Sequence, residues 1–133
     1  MQKTYQNPAA VATPIGPYSH VARVETGDTV FLYISGQVPS DADGNLVGEG
    51  DITAQTDQVY RNLGAILAAN GATFADVIKY TTFLVNIADR PVSGEARGKY
   101  VKEPYPASTL VAVTALVRPE YLIEVEAVAA IPR

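Results

Sequence analysis

The chain has 133 residues, 47% of them apolar, a normal size for one domain with its own core. It has no cysteine, so a disulfide framework and thiolate chemistry are excluded. The formal net charge is −4 with no basic stripe, which argues against nucleic acid, and the single histidine, His20, leaves an imidazole-built metal site without a second ligand.

Met1-Gln2-Lys3 leads into polar sequence, with no apolar leader and no run near the ~18 residues a membrane span needs. The expectation is a cytoplasmic protein with no membrane partner. No repeat, low-complexity tract or linker divides it, so residues 1–133 are expected to form a single domain.

In chain order, His20 to Glu25 is a short alternating segment, and Thr29 to Pro39 is rich in β-branched and aromatic residues, reading as a strand that ends near Gly36. Ser40 to Gly50 is a turn-rich loop. Ile52, Val59, Leu63, Ile66 and Leu67 recur near helical spacing, with Asp51 or Thr53 as cap and Gly71 at the end. Ala75 to Ile87 reads as a buried strand. A second helix follows, with Asp89 as cap, Pro91 in its first turn and an apolar stripe of Val92, Ala96 and Tyr100. Gly94 and Gly98 each cost that helix about 1 kcal/mol, so it must lean on packing. Strands near Ser108 to Leu116 and Tyr121 to Ile131 close the chain.

The resulting order is ββαβαββ, with an additional N-terminal strand left open. One helical layer on one face of a mixed sheet is the economical α+β arrangement. The last strand carries Ile123 and Val125 on one side and Leu122 and Val128 on the other. An apolar face with no helix to cover it points to self-association.

Glu124 and Glu126, two apart in an apolar β pattern, point to the same face. On pattern alone they are the wet side of an alternating strand. Tyr18, after Gly16-Pro17, reads equally as a tyrosine packed at a loop base or as a site residue. Gly36 reads as a strand-end kink or as a point of close backbone approach. His20 reads as an ordinary surface histidine, and Tyr33, Tyr60 and Tyr80 as core or interface aromatics.

Five stretches resemble the YjgF/RidA family, also called the Rid or L-PSP endoribonuclease family. They are PIGPYSH (Pro14 to His20), YISGQVP (Tyr33 to Pro39), ADVIKYTTFLVNI (Ala75 to Ile87), YPAST (Tyr105 to Thr109) and LIEVEAVA (Leu122 to Ala129). The resemblance implies a chorismate-mutase-like α+β fold and a homotrimer with ligand clefts between subunits. It also implies hydrolysis of small reactive enamines and imines to 2-oxoacids and ammonia, with a small-molecule metabolite as partner and no cofactor. Glu124 takes the place of the family's water-orienting glutamate. Tyr18 and the Ser35-Gly36-Gln37 stretch take the places of residues that line the cleft.

The family's carboxylate-clamping arginine, in a PAR triplet, does not carry over. Here the triplet is Pro106-Ala107-Ser108. A frequent second-helix asparagine falls at Ser93 or Gly94. A cleft with Ser108 and Thr109 in place of arginine should prefer a neutral or hydroxyl-bearing ligand, unless Arg97 or Arg118 reaches in. Two functional classes follow: an imine or enamine deaminase using Glu124, or a non-catalytic metabolite-binding homotrimer using the same cleft. An endoribonuclease ranks below both, because no pair of histidines exists for acid–base cleavage.

Overall fold

The computed structural model describes Met1–Arg133. Its strands are β1 (Gln2–Gln6), β2 (Val21–Thr26), β3 (Thr29–Gln37), β4 (Val77–Leu84), β5 (Ala107–Ala112) and β6 (Ile123–Pro132), and its helices α1 (Ile52–Ala69) and α2 (Arg90–Arg97). The strands form one mixed sheet in the order β1-β2-β3-β6-β4-β5, antiparallel throughout except for the β4–β5 pair. The N-terminal strand left open by the sequence is therefore present, paired with β2 at the sheet edge.

Helix α1 starts where Asp51 accepts a hydrogen bond from the Ala54 amide at 3.1 Å, and it ends before Gly71, whose φ of 72° suits glycine. Val59, Leu63, Ile66 and Leu67 are fully buried against Leu32, Ile34, Ile123 and Val125 of the sheet. Each such side chain contributes roughly 1.5–3 kcal/mol.

The second helix differs from expectation in two ways. Asp89 sits at its start but makes no side-chain cap, although Pro91 does occupy the first turn. The buried face is Ser93 and Ala96, while Val92 is exposed. A hydrogen bond of 2.9 Å between the Ser93 and Thr56 hydroxyls holds α2 on α1 and sets that rotation. Strand β4 is also shorter than its apolar run. Thr73 and Asn86 divert the chain at either end by accepting backbone hydrogen bonds that start short 3₁₀ turns.

Alternation along β6 buries Ile123, Val125, Ala127 and Ala129 against the helices. Glu124, Glu126 and Val128 therefore face away, beside Tyr33 of β3 and Thr81 and Phe83 of β4. No helix covers this side, and Tyr33 is 50% exposed on it. No helix of the chain is long and apolar enough to cross a membrane.

Candidate functional site

β3 pairs with β6 through Ile34↔Ala127 and Gln37↔Val125. Two residues of β3, Ser35 and Gly36, thus stand against one of β6, which is a β-bulge. The bulge brings the Gly36 backbone beneath the Glu124 side chain. The carboxylate lies in the space that a methyl group on residue 36 would need.

Buried polar contacts fix the bulge. Gln37, 3% exposed, donates from Nε2 to the Ser35 carbonyl and to His20 Nδ1, each at 3.0 Å. The Ala12 carbonyl can only accept, so His20 Nε2 carries the ring proton and donates to it at 2.7 Å. The Ser35 hydroxyl donates to the Ser19 carbonyl at 2.7 Å. His20 is thus no surface histidine. It is 7% exposed and links the Ala12 loop to the bulge. Its ring meets Tyr18 edge-on, with centroids 6.3 Å apart.

The opposite wall is held by Gln55 on α1, which is fully buried. It donates to the Gly48 and Glu120 carbonyls at 3.0 and 2.9 Å and accepts from the Leu122 amide at 2.8 Å. This places Arg118 and Tyr121, with the guanidinium carbon 5.8 Å from the ring centroid. Asn62 holds the third side by donating to the Val38 and Ser40 carbonyls.

These elements enclose a cavity of 560 Å³ lined by Tyr18, Ser35, Gly36, Gln37, Arg118 and Glu124, among others. Five of the residues expected at the site are thereby brought together. The side chains of Ser35 and Gln37 are engaged in holding the bulge. Glu124 is half-buried without a hydrogen-bond partner in the protein, and its carboxyl is raised above the ordinary range by desolvation and, second, by the neighbouring Glu126 charge. A carboxylate raised in this way, close to a cavity, is a better proton acceptor than an ordinary one.

Ser108 and Thr109 do not join this group. Ser108 pairs with Tyr80 on the helix-facing side of the sheet, whereas Glu124 pairs with Phe83 on the uncovered side. Ser108 lines a separate cavity of 740 Å³ with Arg97 and Arg90 of α2. Of the two arginines left open as substitutes, Arg97 lines this cavity together with Arg90, whereas Arg118 lines the Glu124 cavity. Thr109 lies on the uncovered side, where its hydroxyl accepts from Lys79 Nζ at 2.6 Å, and it lines neither cavity. Glu126 is exposed on the same side, opposite Thr81. No group of three or more histidine, aspartate and glutamate side chains could hold a metal ion.

Sequence reasoning missed His20, Asn62 and Gln55 as supports of the cavity. For Asn62 and Gln55 the signal was there: Gln55, Val59, Asn62 and Leu63 fall on one face of α1, so an amide at either position must find buried partners. His20 left no such signal, because its partners come from a loop and from the far side of a hairpin.

The model of the family described as endoribonuclease L-PSP matches residues 8–131. Protein DfrA of Myxococcus xanthus is 39% identical over 115 residues, covering 86% of each chain. The 2-iminobutanoate/2-iminopropanoate deaminase of Homo sapiens is 36% identical, over 86% of this chain and 80% of its own. Among solved structures, RidA from the Antarctic bacterium Psychrobacter sp. PAMC 21119 superposes with a TM-score of 0.83 at 34% identity, covering 98% of this chain and 100% of that one. With the family model matching residues 8–131 and this structural likeness over 98% of its length, the chain belongs to the YjgF/RidA family.

Proposed function

We propose that the chain is a deaminase-type hydrolase of small enamines and imines, with Glu124 orienting the attacking water. The observation that carries this reading is the half-buried Glu124 carboxylate, raised by burial and seated on the Gly36 bulge beside Tyr18. Relatives named as 2-iminobutanoate/2-iminopropanoate deaminases support it. In the reaction Glu124 takes a proton from water as its oxygen bonds to the C=N carbon. That proton passes to nitrogen, giving a carbinolamine; as the C–N bond breaks, the carbinolamine hydroxyl forms the C=O and its proton goes to nitrogen, so that ammonia leaves a 2-oxoacid. No cofactor enters these steps.

The working unit is proposed to be a homotrimer. Ser108 and Glu124 open on opposite faces of the sheet within one chain, so a cleft that uses both needs a neighbouring copy. Ser108, where the family resemblance calls for an arginine, favours a second reading, a metabolite-binding trimer without turnover. An RNA substrate is not favoured, given the net charge of −4.

The test generates 2-aminoacrylate in situ from serine with a dehydratase and follows its loss in the presence of semicarbazide. Wild type should accelerate hydrolysis, and Glu124→Gln should lower the rate about a hundredfold or more, the size of a general-base contribution. Equal rates in wild type and Glu124→Gln would leave the binding-only reading.

A further inference from the structure

The 740 Å³ cavity beside Ser108 has a lining of one charge sign. Two arginines, Arg90 and Arg97, line it together with the hydroxyl residues Tyr60, Thr82, Ser93 and Ser108, and no acidic residue does. This is unusual in a chain of net charge −4, whose 560 Å³ cavity includes Asp43 and Glu124 and whose 650 Å³ cavity includes Glu103. Arg61, one turn from Asp57 on α1, is paired with its carboxylate at 2.9 Å. Neither Arg90 nor Arg97 has an ion pair.

Arg97 is not a loose surface side chain either. Its Nε donates to the Tyr60 hydroxyl at 3.0 Å, and its guanidinium lies over the Tyr80 ring, 5.3 Å from the centroid. Tyr60 and Tyr80 are both fully buried, so the plane of the guanidinium is set by rigid neighbours. Its two Nη groups make no hydrogen bond within the protein. A planar fork, fixed at one nitrogen and free at the other two, is pre-organised for a bidentate carboxylate. The short Ser108 side chain on β5 leaves room in front of it.

We propose that this cavity is an anion-binding site in which Arg97, assisted by Arg90 at its exposed rim, holds the carboxylate of a small organic acid. The cation then comes from α2 instead of from the β5 position that Ser108 occupies. This deepens the deaminase reading, and rests on it only for the identity of the acid. Under that reading the acid is a 2-imino acid, and Arg97 is a substrate-binding residue that sets specificity for the carboxylate.

The experiment is calorimetric titration of the full-length protein with 2-oxobutanoate, the 2-oxoacid formed from a 2-imino acid, and separately with inorganic phosphate. Wild type should bind 2-oxobutanoate. Arg97→Gln should weaken it at least tenfold, and Arg90→Gln should weaken it less. Ser108→Arg placed in the Arg97→Gln background should recover most of the affinity, because residue 108 lines the same cavity. Ser108→Glu should abolish binding with Arg97 and its packing intact, which guards against Arg97→Gln acting through misfolding.

Unchanged binding in Arg97→Gln would overturn the proposal. So would loss of binding in Arg118→Gln alone, which would move the cation to the Glu124 cavity. Tighter binding of phosphate than of 2-oxobutanoate, or no binding of either, would overturn the carboxylate assignment. Arg97-dependent binding without turnover of imines would sink the deaminase reading and leave this site standing. Turnover with full binding in Arg97→Gln would do the reverse.

Discussion

A methyl group on Gly36 would lie 2.1 Å from Glu124 Oε1, so the carboxylate occupies space that only glycine at residue 36 leaves open. The β-bulge and the glutamate are one construction: the extra residue in β3 lifts the backbone, and the missing side chain lets the carboxylate rest there. Gly36→Ala should therefore displace the Glu124 carboxylate. The clashing atoms are the end of a flexible side chain, so the fold should survive with a melting temperature close to wild type. Hydrolysis of 2-aminoacrylate should fall about a hundredfold, as expected when a catalytic group moves by an ångström. The same substitution in a Glu124→Ala background should change nothing further, because no carboxylate remains to displace.

The Glu124–Glu126 pair gives a pH signature. The folded-state carboxyl of Glu124 is raised, first by burial and then by Glu126. A raised acid contributes stability below its unfolded pKa and loses that contribution as pH rises through the folded value. Glu124→Gln should thus melt higher than wild type at pH 7 and lose the advantage in acid, near and below the ordinary carboxylate value. In kinetics, Glu126→Gln removes the like charge, so the acidic limb of the rate profile should move to lower pH. An acidic limb that stays in place would show that another group than Glu124 governs it.

The fold was legible in the sequence wherever one segment carries its own periodicity. The α1 stripe from Val59 to Leu67 and the alternation through Ile123, Val125 and Ala127 both lie where the pattern puts them. The errors arise where partners distant in sequence decide. The rotation of α2 follows from the Ser93–Thr56 hydrogen bond, which no periodicity encodes. At the site, the Tyr18, Ser35–Gln37 and Glu124 grouping was implied by the family resemblance and not by periodicity, and the face on which Ser108 lies was not visible at all. That face is set by the parallel register of β4 and β5, which pairs Tyr80 with Ser108 and so turns residue 108 toward Arg97.

Gln37 should matter to stability out of proportion to its polarity. Both protons of its amide are used, on the Ser35 carbonyl and on His20 Nδ1, and the residue is buried. Gln37→Met removes the donor and leaves both acceptors without a partner. The cost should be about 1–3 kcal/mol, read as a lower urea midpoint with an unchanged slope. The bulge would loosen with it, so activity should fall as well. An unchanged midpoint would mean that the Ala12 loop and the bulge are held by other contacts.

The uncovered face of the sheet supplies the last prediction. Tyr33 stands at its centre, opposite Val128 in the register, 50% exposed and with no helix over it. Phe83 and Val128 border the same area, and Val111 is 41% exposed beside Phe83. If three copies meet on this face, Tyr33 is buried in the assembly although it contributes little to the core of the single chain. Tyr33→Glu would then bury carboxylates close together without a cationic partner. The penalty is several kcal/mol, enough to weaken association more than a hundredfold, while each chain keeps its own fold. Sedimentation equilibrium at micromolar concentration should report a trimer for wild type and a monomer for Tyr33→Glu, with matching far-ultraviolet circular dichroism. Because Ser108 and Glu124 face opposite ways in one chain, the monomeric variant should also lose imine hydrolysis, though none of its own site residues has changed. A wild-type monomer would remove the shared cleft, and a monomeric Tyr33→Glu with full activity would place the whole reaction in the Glu124 cavity, with Arg118 as the cation within it.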